Sequence, residues 1–190
     1  MRYAPLLVAV MLAGLVAWPF VRNLTGTESQ GMPGARIGGH FTLDTVEGPL
    51  DTASLQTDLS LLFFGYTYCP DVCPVELAKA AQVMQSLGAD AEHVSVIFIT
   101  VDPRRDTPAA VDAYAKAFDP RFIGVTGDDA RVRDVMRQYQ VYAQKVGEGT
   151  DYTVDHTSRT YVVNREAKLM ALFAMDTEVP AMVEQIRRLL

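Results

Sequence analysis

Two periods of hydrophobic and polar residues alternate along this chain, and the switches between them mark out its elements. Residues 59–64 and 94–101 are near-continuous apolar runs, as expected of strands covered on both faces. Between them Leu77, Ala80, Ala81, Met84 and Leu87 recur at helical spacing, with Lys79, Gln82 and Gln85 on the opposite face. Thr107 is placed to cap a second helix with Pro108 at its first position, and Val111, Tyr114 and Phe118 form that helix's apolar stripe. Residues 122–125 read as a short strand, and Val132, Val135, Met136 and Tyr139 as one face of a third helix. The period then becomes strand-like through 141–146, a Gly147-Glu148-Gly149 turn, 152–154, 160–163 and 168–173. Val179, Met182, Val183, Ile186 and Leu189 close the chain as an amphipathic helix. Upstream, 41–44 and 48–50 predict a small hairpin turning at Glu47-Gly48. Strands alternating with helices, then hairpin strands and a last helix, predict an α/β fold with a mixed sheet covered on both faces.

The start of the chain departs from this pattern. Residues 4–21 carry no charge and lie between Arg2 and Arg22. They reach the lower edge of a bilayer span and exceed most signal-peptide apolar cores. An uncleaved transmembrane anchor over residues 1–22 is expected, with a cleaved signal peptide as the alternative. Either would export the remainder. Residues 23–37, rich in glycine and small polar side chains, predict a flexible tether, and 38–190 a single domain with room for a core. Setting aside Arg2 and Arg22 leaves 15 of the 17 basic residues against all 23 acidic ones, a formal charge of −8. That balance argues against a nucleic-acid partner.

The chain's two cysteines, Cys69 and Cys73, sit four apart between the first apolar run and the first helical stripe. With Pro74 at a first helical position, Cys73 falls at a helix N-terminus and Cys69 in the loop above it. Free backbone N–H groups and the positive end of the helix dipole would there favour thiolate over thiol. The competing reading is two cysteines that only pack as small apolar residues. A strand-to-helix loop holding both is a poor place for that coincidence. Thiol chemistry is therefore expected, either redox or metal.

The loop Gly65-Tyr-Thr-Tyr-Cys-Pro-Asp-Val-Cys-Pro74 carries three residues between its cysteines, where thioredoxin-like oxidoreductases carry two. It resembles the Sco/SenC family of copper-binding proteins needed for cytochrome c oxidase assembly. Val101-Asp-Pro-Arg-Arg-Asp-Thr-Pro108 and Val154-Asp-His-Thr-Ser158 agree with it, and the resemblance runs from about Gly38 to Leu190. Small departures are Tyr68 where many members have histidine, His40 in the Gly-Gly-Pro-Phe region, and Thr157 in place of a frequent serine. The resemblance implies a thioredoxin-like fold with helices on both faces of the sheet, preceded by an N-terminal anchor, with copper on Cys69, Cys73 and His156. Two thiolates and an imidazole suit three-coordinate Cu(I) and also hold Cu(II). Structural zinc usually asks for four protein ligands, and no convincing fourth stands out. Asp71 is read as a loop residue that supports the ligands, and Asp155 as one that orients the site by hydrogen bonding. His40 and His93 read as solvated surface groups, Asp102 and Asp106 as turn and helix-start residues or a docking point for a partner. Met84, Met136 and Met182 fall on apolar stripes and read as core, while Met170 and Met175 carry no motif.

The resemblance further implies a carrier rather than an enzyme. It would be a metallochaperone, anchored with its domain in the bacterial periplasm or the equivalent mitochondrial intermembrane space. It would take copper from a donor protein and pass it to the dinuclear copper site of cytochrome c oxidase subunit II or its assembly intermediates. The alternative is a thiol–disulfide oxidoreductase, in which Cys69 and Cys73 would be catalytic and would reduce the cysteines of that site. His156 separates the two, since copper binding needs it and dithiol exchange largely does not. A peroxiredoxin-like peroxidase is disfavoured, because its Thr-x-x-Cys setting is not recognisable.

Overall fold

The computed structural model describes residues 37–190. The expected anchor and nearly all of the tether lie outside the described residues. Among those described, no helix is long and apolar enough to cross a membrane.

The chain opens with an antiparallel hairpin, β1 (Thr42–Thr45) and β2 (Gly48–Asp51), which turns at Val46 and Glu47, one residue earlier than expected. Next come β3 (Leu59–Gly65), α1 (Val72–Leu87), β4 (Val94–Thr100), α2 (Pro108–Lys116), β5 (Ile123–Val125) and α3 (Asp129–Gln138). A second antiparallel hairpin, β6 (Ala143–Val146) with β7 (Thr153–His156), is followed by β8 (Thr160–Asn164), β9 (Leu169–Phe173) and α4 (Val179–Leu189). The central sheet has the order β5-β4-β3-β8-β9. Its β3–β4 and β4–β5 pairs are parallel, and β8 runs antiparallel to both β3 and β9. Every residue of β3 and β4 is buried, which is why both runs read as continuously apolar.

Helices cover both faces. On one, Leu61, Phe63, Val96 and Phe98 pack with Leu77 and Met84 of α1, Val111 of α2 and Ile186 of α4. On the other, Leu62, Phe64, Ile97 and Ile99 pack with Val132 and Val135 of α3 and Leu43 of β1. Each such side chain contributes about 1.5–3 kcal/mol by leaving water. A Cβ at Gly124 would run into the Val111 carbonyl, so α2 lies closer to β5 than any side chain allows. Thr107 caps α2 as expected, accepting from the Ala110 N–H at 3.2 Å. That helix ends at Lys116, so Ala115 rather than Phe118 takes the fully buried place beside Val111.

The turn into β5 is fixed by Asp119. Its carboxylate accepts from the Arg121 N–H at 2.9 Å and from the guanidinium at 2.9 and 2.6 Å. The Arg121 hydrogen bond holds the Asp119 carboxyl below its usual range. Its contribution is therefore complete above the unfolded value and lost as pH falls through the folded one. Arg121 is half exposed, which screens the pair. Asp119→Ala should cost about 1 kcal/mol near neutrality and almost nothing near pH ~2, measured by urea unfolding at both pH values.

Candidate metal centre

The chain leaves β3 at Gly65 and folds back at once, with the Cys69 N–H donating to the Tyr66 carbonyl at 3.1 Å. Cys69 stands half-buried in this turn. Helix α1 begins at Val72, two residues before the expected start, so Cys73 is its second residue and Pro74 its third. Proline is tolerated there because first-turn N–H groups have no partner within the helix. Cys73 thus points inward from the first turn and is fully buried. Burial pushes its thiol up, against the expectation that the helix N-terminus would make it a thiolate. Desolvating a full charge costs more there than a partial dipole returns, so a metal must displace a proton to bind this sulfur.

His156 is the last residue of β7, paired with Ala143, rather than part of a loop. The β6–β7 hairpin holds it over the cysteine turn. The Val154 N–H donates to the Tyr66 hydroxyl at 3.2 Å, and the imidazole meets the edges of Phe63 and Tyr66 at 6.3 and 5.8 Å. The Nε2 atom lies 3.5 Å from the Cys73 sulfur. The Nδ1 atom lies 3.2 Å from the Thr157 carbonyl. A carbonyl only accepts, so Nδ1 carries the proton and Nε2 presents its lone pair to the sulfurs. Burial holds this imidazole below its usual range, which favours the neutral form a metal requires. The two sulfurs and one ring nitrogen all lie within 4.8 Å of one another, a compact, soft donor set.

The sequence model of SCO1/SenC matches residues 29–190. The chain belongs to the SCO1/SenC family. An SCO2-like protein of Rickettsia conorii is 38% identical over 156 residues, covering 80% of this chain and 76% of the relative. The mitochondrial SCO2 homologue of Mus musculus is 39% identical over 160 residues, covering 81% and 63%. Among solved structures, Bradyrhizobium japonicum ScoI with copper bound is 40% identical, with a TM-score of 0.74 over 81% of this chain and 99% of that one. Yeast Sco1 with copper bound is 30% identical, with a TM-score of 0.73 over 80% and 87%. The thioredoxin-like α/β fold with a mixed central sheet is thus that of the family.

The supports of this SCO1/SenC site differ from those expected. Asp71 is exposed at the cap position of α1 and its side chain caps nothing. Asp155 is exposed, and neighbouring strand residues such as Asp155 and His156 face opposite ways. Neither carboxylate joins the donor cluster, and the Thr157 carbonyl does the orienting expected of Asp155.

Two other aspartates hold the site together. Asp106, expected at a helix start, is buried and accepts from the Thr67 N–H at 3.0 Å, the Thr67 hydroxyl at 2.5 Å and the Thr100 hydroxyl at 2.7 Å. Asp102 accepts from Arg105 at 2.5 Å and from the Tyr152 hydroxyl at 2.8 Å. The Arg105 guanidinium lies 3.6 Å from the Tyr152 ring centre, 4.7 Å from Tyr68 and 5.7 Å from Tyr66. One cation thereby joins the cysteine turn, the loop after β4 and the histidine hairpin, at about 0.5–2 kcal/mol for such a contact. The only signal for this was the family phrase spanning Val101 to Pro108.

The remaining expectations for side chains are met. His40 is exposed, and exposed His93 lies 2.8 Å from Asp58. Met84 and Met182 are buried, Met136 is half-buried against the core, and Met170 and Met175 are exposed.

Proposed function

We propose that Cys69, Cys73 and His156 bind copper, as Cu(I) and also as Cu(II), and that the domain carries this copper to cytochrome c oxidase during its assembly. The acceptor would be the dinuclear copper site of subunit II, and a separate donor protein would load the domain. The observation that carries the reading is the cluster of two sulfurs and one imidazole nitrogen within 4.8 Å, with the other ring nitrogen turned to the Thr157 carbonyl. Three such ligands suit Cu(I), leave one side of the ion open for transfer, and fall short of the four that structural zinc prefers. Relatives with the same fold hold copper, including ScoI of Bradyrhizobium japonicum and Sco1 of yeast. Residues 1–22 would anchor the chain, 23–37 tether it, and 38–190 form the copper domain, in a bacterial periplasm or, as the names of mitochondrial relatives suggest, its intermembrane equivalent.

A second reading is favoured by the same two free thiols lying side by side. As a thiol–disulfide oxidoreductase, the pair would reduce the cysteines of the oxidase site before metal arrives from elsewhere.

Copper binding and dithiol exchange should be measured on wild type, Cys69→Ser, Cys73→Ser and His156→Ala. The carrier reading expects one tightly bound copper in wild type and none in the three variants. Poor binding by wild type, with His156→Ala exchanging disulfides as fast as wild type, would establish the reductase instead.

A further inference from the structure

A groove of about 550 Å³ lies between the loop after β4, helix α3 and the β6–β7 hairpin that carries His156. Val101, Val132, Met136 and Val154 give it an apolar lining. Around them stand four cations, Arg104, Arg105, Arg133 and Lys145, against the two carboxylates of Asp102 and Asp129. Asp102 is taken up by Arg105, and Asp129 accepts from Arg104 at 3.1 and 3.0 Å. Arg133 comes only within 3.9 Å of that same Asp129 oxygen. Among the described residues, Lys145 meets the Gly149 carbonyl at 3.3 Å and the Tyr152 ring at 4.0 Å but no carboxylate. The groove thus holds two positive charges in excess, on a chain that carries −8 beyond residue 22.

That local excess selects the occupant. Two copies of so acidic a chain repel one another, which argues against a second copy in the groove. A small anion fits poorly, because small-ligand sites bury the polar groups that hold the ligand, whereas Arg104 and Arg133 keep 74% and 60% of their side chains exposed. An apolar strip with charged side chains at its rim is the layout of a protein interface. Its place in the fold points to the same use. Ala143 of the groove pairs with His156 across the hairpin, and Val154 precedes His156 by two residues on β7. A partner seated there stands at the edge of the metal centre.

We propose that this groove docks the protein that receives the copper, through an acidic segment whose carboxylates meet Arg133 and Lys145 and whose apolar side chain lies among Val132, Met136 and Val154. The inference rests on the copper reading above, which makes that protein cytochrome c oxidase subunit II. Complementary charge steers the encounter and fixes its register. The acidic remainder of the surface turns the same segment away, so the partner is directed to the side of the domain that bears the metal.

The test titrates the reduced, metal-free full chain with the soluble domain of subunit II. At about 0.01 M ionic strength, where charges act over about 30 Å, Arg133→Glu together with Lys145→Glu should weaken binding at least about tenfold. At about 1 M salt the gap should close. Arg187→Glu together with Arg188→Glu makes the same change of net charge on α4, across the sheet from α3, and should stay within about twofold of wild type. Equal weakening by the two pairs would reduce the effect to net charge and overturn the proposal. No weakening by the groove pair, or no binding by wild type, would overturn it as well. Copper uptake is read separately on the same proteins. A wild type that binds subunit II through the groove but takes up no copper would overturn the copper reading and leave the docking site standing.

Discussion

Asp106→Ala is expected to destabilise the domain by about 3 kcal/mol and to cost it most of its copper affinity, although Asp106 is no ligand. Its carboxylate gathers the Thr67 N–H, the Thr67 hydroxyl and the Thr100 hydroxyl, and its own carbonyl accepts from Thr126 at 2.9 Å. These bonds tie the turn that holds Cys69 to the end of β4. Alanine would leave the buried Thr100 hydroxyl and two part-buried Thr67 donors without this acceptor, at about 1 kcal/mol each. Asp106→Asn should behave differently. Its carbonyl can accept from the Thr67 N–H and Thr100, and its amide can donate to a Thr67 hydroxyl that turns round. It also removes a charge whose burial raises the Asp106 carboxyl above its usual range. With the folded value above the unfolded one, the aspartate loses stability as pH rises between the two and is level beyond. The asparagine variant should therefore lie within about 1 kcal/mol of wild type and gain on it as pH rises from about 4. Urea unfolding across pH, with copper titration of each variant, measures this. An alanine variant as stable as wild type would show that the turn holds itself.

The elements with one buried face, or two, were legible in the sequence. Strands β3 and β4 bury every residue and read as unbroken apolar runs, and the stripes of α1 and α4 follow the helical period. What escaped was set by contacts distant in sequence. Strand β7 runs on to His156 because its partner β6 continues, although Asp155 is polar and exposed. Helix α1 starts before Pro74 because a first turn needs no N–H at that position. The candidate site shows the same division. Two cysteines at close spacing identify themselves, whereas His156 differed from His40 and His93 by lying between a hairpin and a core strand, and the family phrase was needed to make it a ligand. Asp106 showed no more than a helix-start position, since its partner Thr67 is 39 residues away. Buried polar residues give no periodic signal, so this network is visible only when the folded chain is in hand.

Gly65→Ala should be the most damaging single methyl group near the site. Gly65 ends β3, is buried, and its carbonyl accepts from the Val101 N–H at 2.7 Å, which fixes the backbone. A Cβ there would stand 2.6 Å from the Cys73 sulfur, 2.9 Å from a Phe98 ring carbon and 3.2 Å from one of Phe63. Phe63 and Phe98 stack on one another at 6.4 Å, and Tyr114 closes behind Phe98 at 5.3 Å, so neither ring has room to yield. The sulfur must move instead, and it moves on the first turn of α1. Overpacking of this kind costs about 2–3 kcal/mol. A displaced ligand should lower copper affinity by about 10- to 100-fold, as loss of a ligand's supporting contact does. A double-mutant cycle assigns the cause. In a Cys73→Ala background the sulfur is gone, and Gly65→Ala should cost at least about 1 kcal/mol less than it does in wild type. An equal cost in both backgrounds would place the strain in the two phenylalanines, and the predicted loss of copper affinity would then have no route to the metal.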